Sequence, residues 1–246
     1  MRILIVNDDG IQASQLPNLV RWAQKYGEVT VVAPKFEQSG KSHGIEIHKA
    51  FALEQVDLVP GAQCYALDST PADCVRYAVL GMKQKFDLVI SGINRGLNVG
   101  ADIMYSGTVG AVFEAANLGI QAIAFSTSPS FYPYAWEHLD RVYHFIQANK
   151  LLDQCDMYNV NIPDAAGDIR ITHQGGPYYS DEFTLENGMV TPHGIDVFTP
   201  CQDDTVDTDC VLRCGNISIM PLALPRTDRA VYESLQYLNH ESHPTK

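Results

Sequence analysis

The first residues able to do chemistry are Asp8 and Asp9, side by side in Asn7-Asp8-Asp9-Gly10 directly after the run RILIV at 2–6. Two adjacent carboxylates at the end of a buried run repel each other and resist losing their water. They call either for a turn followed by a helix cap or for a positive partner that the chain does not encode. Other oxygen-bearing segments follow further hydrophobic runs: PKFEQSG at 34–40, Asp68-Ser69-Thr70, and SGINRGLNVGADIMYSGTVG at 91–110. Carboxylates, a serine hydroxyl and an asparagine amide are the donor set of a hard divalent cation such as Mg²⁺ or Mn²⁺, and the wrong set for a zinc thiolate centre. Ser106-Gly107-Thr108 stands just before a helical run. Backbone N–H groups at a helix start, with two hydroxyls beside them, form an anion pocket; the simpler role for Ser106 or Thr108 is an N-cap. A metal opposite an anion pocket is what a phosphate ester requires.

Several similar patterns fail on their own chemistry. Gly40-Lys41-Ser42 looks like the end of a phosphate-binding P-loop, but the glycine needed five positions before Gly40 is Lys35. No G-x-G-x-x-G follows the first strand. A D-x-D aspartyl-phosphatase needs a nucleophilic Asp at position 7, where Asn7 stands. A phosphorelay receiver, with Asp68 as acceptor, is kept as the binding-module alternative: a phosphoryl or nucleotide sensor without turnover.

These residues need elements to position them, and the hydrophobic pattern supplies strands alternating with helices. Strands are expected at 2–6, 28–33, 64–67, 87–90 and 121–125, and helices at 13–26, from Pro71 onward, at 107–119 and at about 134–149. Pro71 after Thr70 suits a first helical position. The order predicts an α/β, Rossmann-like three-layer αβα fold with a mostly parallel sheet. Ile45–Phe51 alternates and is expected as an antiparallel excursion. Beyond residue 130 the pattern changes to strands at 157–163, 169–173 and 216–222 with a Gly- and Pro-containing stretch between them. That predicts a C-terminal β-rich extension, a protruding arm and a terminal helix at 227–238. No linker divides the chain, so 1–246 is expected to be one domain, with 1–130 as the nucleotide- and metal-binding core and 131–246 as sheet extension, arm and terminal helix.

The 246 residues carry a net charge of -12, which argues against a nucleic-acid polymer or an anionic membrane as partner. No stretch approaches the roughly 20 apolar residues of a membrane span, and no signal peptide is visible, so a cytoplasmic location is expected. The six cysteines are scattered and read as reduced thiols. Cys201, Cys210 and Cys214 lack the tight pairs and fourth ligand of a zinc site.

Together, NDDG at 7–10, QSG at 38–40, STPADCV at 69–75, DLVISGINRGLNVG at 87–100 and YSGTVGAVFEA at 105–115 resemble the SurE survival-protein family of 5'/3'-nucleotidases. NVNIP at 159–163, DTDC at 207–210 and ISIMPL at 217–222 extend the match. The resemblance implies a metal-dependent phosphomonoesterase acting on nucleoside monophosphates, with short polyphosphate a further candidate. It implies one divalent cation per subunit held by Asp8, Asp9, Ser39 and Asn94, and phosphate contacts from Ser106, Gly107 and Thr108. Asp8 or Asp9 would orient or deprotonate a water, and Asn94 would join the phosphate contacts. It also implies a homodimer or homotetramer formed through the C-terminal arm. Lys41-Ser42-His43-Gly44 departs from the small and hydroxyl-bearing residues usual after QSG, and Ser69 precedes Thr70 where glycine is common. Lys41, His43, Arg95 and Tyr105 fall near the same edge by sequence, each as readily a surface side chain as a substrate contact.

Overall fold

Strand β1 (Arg2–Val6) is apolar on both faces because it lies between two cores. Side chains alternate across a strand, and here Ile3 and Ile5 enter one core while Leu4 and Val6 enter the other. The structure, a computed structural model, describes residues 1–128, 132–165 and 167–240; residues 241–246 of the expected single unit lie outside them. The same alternation runs through β2 (Glu28–Pro34), β5 (Leu88–Arg95) and β6 (Gln121–Thr127). Helices α1 (Leu16–Ala23) and α4 (Tyr132–Ala148) cover the first core, through Leu19, Val20, Leu139 and Val142. Helices α2 (Pro71–Arg76) and α3 (Gly107–Asn117) cover the second, through Cys74, Val75, Val109 and Val112.

With β3 (Leu53–Val56), β4 (Gln63–Leu67), β7 (Met157–Ile162), β8 (Ile169–Ile171) and β11 (Ile217–Pro221), the main sheet runs β3-β4-β2-β1-β5-β6-β7-β11-β8. The six strands from β4 to β7 are parallel. Their order reverses direction between β1 and β5, the place where open α/β sheets leave a crevice beyond their carboxyl ends. The expected α/β fold is therefore observed, with the sheet extended by β11 antiparallel to β7 and β8 parallel to β11.

Two elements differ from expectation. The antiparallel excursion is β3, paired Leu53 with Leu67 and Val56 with Cys64, rather than Ile45–Phe51. Backbone groups of that earlier segment bond to side chains instead: Glu46 N donates to Asp73, and His48 N and Lys49 N donate to the Glu46 carboxylate. Such local partners compete with a strand ladder. The terminal helix is also shorter, α5 (Arg229–Ser234) followed by a 3₁₀ turn at Gln236–His240.

The arm is the hairpin of β9 (Tyr179–Glu186) and β10 (Met189–Asp196). Asn187 and Gly188 at its tip both take positive φ, 51° and 78°, the backbone of a tight I′-type turn. Phe183, Leu185, Met189 and Val190 are exposed on it. At its base, the Asp102 carboxylate accepts the amides of Tyr178 (2.9 Å) and Tyr179 (2.7 Å).

Candidate active site

The carboxyl end of β1 turns sharply after Val6. Asn7 closes the turn on itself, its Nδ2 donating to Gly10 O (2.9 Å) and its Oδ1 accepting from Gly10 N (3.2 Å). An Asp at position 7 could not donate the first of these bonds. Gly10 takes φ +91°, and a Cβ there would sit 3.2 Å from the Phe36 carbonyl carbon. The turn thus holds Asp8 and Asp9 at the crevice between β1 and β5.

Asp8 is 4 % exposed. Its Oδ1 accepts the Thr108 hydroxyl at 2.6 Å, and its backbone carbonyl accepts Gln38 N at 2.7 Å, which binds the 35–41 loop to the site. Burial pushes its carboxyl above the usual range, against the pull of Thr108. Asp9 is more open; its Oδ2 accepts only a long bond from Arg95 N (3.3 Å). Burial and then the Asp8 charge raise its carboxyl to about 6, and the Arg95 guanidinium offsets this least. Among the described residues, neither acid is paired with a cation at ion-pair distance.

Helix α3 points its N-terminus at this pair. Ser106 is the cap, its Oγ accepting Val109 N at 3.1 Å. Gly107 stands so close that a Cβ there would lie 3.0 Å from Asp8 Cβ. The helix dipole favours an anion at this end, and Asp8 already occupies part of that field. The hydroxyl of Thr108 is committed to Asp8, so Thr108 orients a carboxylate.

Ser39 and Asn94 reach the edge from the neighbouring segments. The Ser39 hydroxyl donates to Glu37 at 2.7 Å, both residues being exposed. Asn94 donates Nδ2 to Gly96 O at 2.9 Å, leaving Oδ1 as its open acceptor. Among the described residues no three His, Cys, Asp or Glu side chains gather as a metal-holding group. The donor set at the crevice is two carboxylates plus neutral oxygens, a set that suits a hard cation completed by water. All six cysteines are free thiols. Asp68 is exposed at the end of β4, with β2 between it and β1.

Three further features bear on the site, and two of them, Glu37 and Tyr132, had no clear sequence signal. Glu37, inside the loop at 34–40, adds negative charge beside Asp8 and Asp9. Tyr132, at the start of α4, feels both acids: burial and then Asp9 drive its phenol upward. The loop after β5 is held from behind by β7. Asn98 N donates to Asn161 Oδ1, and Asn98 O accepts from both Asn159 and Asn161, all at 2.8 Å. Asn98 Nδ2 completes the set on Ser126. Asn159 and Asn161 are one strand period apart, which is the signal NVNIP offered. Close by, Gly92 takes φ +126°, with a Cβ position 2.3 Å from Phe125 O.

A sequence model of the family described as Survival protein SurE matches residues 3–181. The chain belongs to the SurE family. A 5'-nucleotidase SurE from Thermoanaerobacter sp. (strain X514) is 35% identical, the alignment covering 97% of each chain. One from Legionella pneumophila subsp. pneumophila (strain Philadelphia 1) is 33% identical over 98% of each. The crystal structure of the Sure protein from Aquifex aeolicus superposes with a TM-score of 0.78 at 32% identity, covering 97% of this chain and 100% of that one. The SurE relationship thus spans nearly the whole chain, extension included. No described helix is long and apolar enough to cross a membrane.

Proposed function

We propose that this chain is a divalent-metal-dependent phosphomonoesterase that hydrolyses nucleoside 5'- or 3'-monophosphates to nucleoside and phosphate. The observation that carries it is the pair Asp8 and Asp9: two adjacent acids without an ion-pair partner among the described residues, held at the strand switch point against the N-terminus of α3. Its relatives named 5'-nucleotidase SurE support the same activity.

Asp8, Asp9, Ser39 and Asn94 are the residues that would hold Mg²⁺ or Mn²⁺. When bound, the cation supplies Lewis acidity toward a phosphate oxygen and neutralises charge. Asp8 or Asp9 would orient the attacking water or take its proton, both acids standing at the crevice. Thr108 and the α3 terminus aim Asp8 and favour its ionised form against the effect of burial. The amides of Gly107 and Thr108, the Ser106 hydroxyl and the second amide hydrogen of Asn94 receive the non-bridging phosphate oxygens. Each such donor is worth roughly 3–4 kcal/mol in a transition state. The exposed apolar hairpin β9–β10 is the surface through which copies of the chain pair as dimers or tetramers.

The test is release of inorganic phosphate from AMP, 3'-AMP, p-nitrophenyl phosphate and short polyphosphate. Activity is expected to disappear with EDTA and to return with Mn²⁺ or Mg²⁺. Full turnover in EDTA, or nucleotide binding with no phosphate release, overturns the reading; the latter marks a sensor.

A further inference from the structure

Next to the α3 terminus lies a cavity of about 610 Å³ whose lining shares Ser106 with the proposed phosphate contacts. Its walls include Ser42, His43, Tyr105, Ser106, Phe113 and Arg226. The volume falls in the range of small-molecule sites. Ser106 belongs both to this wall and to the cap that precedes Gly107, so the cavity opens one residue from the contact between α3 and Asp8.

Among the polar groups of that wall, His43 is held by a buried carboxylate. Ser42 N donates to Tyr105 O (3.0 Å) and Ser42 Oγ to Met104 O (2.5 Å), fixing the backbone on which His43 sits. Gly110 makes the approach possible, since a Cβ there would lie 2.3 Å from Ser42 O. The imidazole Nε2 meets the Glu114 carboxylate at 2.7 Å. Glu114 is 3 % exposed, and its other oxygen accepts Arg76 Nη1 at 3.2 Å. Arg76 in turn lies 3.9 Å from Asp73, which also binds Ser69 (2.6 Å) and Thr70 (3.2 Å). The His43 ring lies 6.3 Å from Phe113 at an interplanar angle of 25°.

With Nε2 held by the Glu114 carboxylate, Nδ1 is the ring's remaining polar atom. A pinned imidazole, an aromatic wall of Tyr105 and Phe113, and a shared border with the phosphate cradle are the features of a site for a flat heterocycle on a hydroxylated sugar. We propose that this cavity seats the nucleoside of the substrate. His43 contacts it, its Nδ1 hydrogen-bonding a sugar hydroxyl or a base edge, and Glu114 and Arg76 are positioning residues. The proposal rests on the phosphomonoesterase reading.

The discriminating experiment compares AMP with p-nitrophenyl phosphate, which has the phosphoryl group without a nucleoside. In His43→Ala the ratio of kcat/KM for AMP to that for the aryl ester is expected to fall about tenfold, the worth of one hydrogen bond. The loss should appear in KM rather than kcat, and Glu114→Gln should show a smaller change of the same kind. Equal losses on both esters, or no change in the ratio, overturn the proposal. Adenosine binding by calorimetry separates it from the phosphatase reading. If wild type releases no phosphate from any ester, that reading fails, and adenosine still decides this one. Binding about tenfold weaker in His43→Ala supports it; equal affinity, or none in wild type, sinks it.

Discussion

Two pairs of acids, Asp8 with Asp9 and Asp207 with Asp209, differ in how fully their carboxylates are satisfied. Asp207 is fully buried, and its carboxylate accepts the amides of Gly100 (2.8 Å), Gly175 (2.7 Å) and Thr208 (2.8 Å). Asp209 accepts Cys201 N (3.0 Å), Gln202 N (3.0 Å) and Arg213 Nε (2.8 Å). Burial alone would raise Asp209, but these donors and Arg213 hold it down to about 2. Asp8 and Asp9 have fewer donors and no cation at ion-pair distance among the described residues, and both are raised. Burial raises Asp207 as well, against the pull of its three amides; of the four acids Asp209 is the one held down, because Arg213 adds a cation to its amide donors. The satisfied pair staples loops together, and the under-satisfied pair is held ready for something else.

The largest expected break between the pairs is in catalysis. Asp9→Asn should lower turnover by about 100-fold or more while the protein remains folded, because a ligand is lost and a charge repulsion with it. Near-normal phosphate release from this variant would remove Asp9 from the chemistry. Stability should show the reverse pattern. Asp207→Ala leaves three backbone donors without their acceptor and should cost on the order of 3 kcal/mol in urea unfolding. An Asp207→Ala protein as stable as wild type would mean that the staple is ornamental.

The smallest effect is in pH dependence, measured by Tm in EDTA. Asp9 is raised to about 6, so the native state holds its proton more tightly than the unfolded chain does. Its ionisation therefore erodes stability as pH rises from about 4 to about 6. Asp209 is depressed to about 2; its contribution is present above about 4 and is lost as pH falls toward 2. Asp9→Asn should flatten the upper limb and Asp209→Asn the lower one. The opposite assignment would invert the comparison.

The core strands were legible because each is apolar over its full width, the pattern of a parallel strand covered by helices on both sides. Thr70-Pro71 marked a helix start correctly, with Thr70 Oγ1 accepting Asp73 N at 3.1 Å. Ile45–Phe51 misled because its alternation says nothing of Glu46, whose carboxylate takes the amides a ladder would need. At the site, Asp8 and Asp9 announced themselves as like charges with nowhere to go. Thr108 could be read as a hydroxyl at a helix start, but its bond to Asp8 spans 100 residues and no local pattern reports it. Tyr132 and Glu114 were invisible for the same reason: their partners come from other elements.

The double-sided apolar face of β1 has one more consequence. A strand that is oily above and below gains little from hydrophobicity in choosing between neighbouring alignments, since a slip by one residue exchanges one greasy face for another. Such a slip would set Asn7 where Asp8 meets Thr108, and the crevice would lose a charge without the core losing contact. The anchors that make that misalignment expensive are the bonds from the turn to the next segment, Ile11 N to Pro34 O and Gln38 N to Asp8 O, both at 2.7 Å, with Gly10 packed against Phe36.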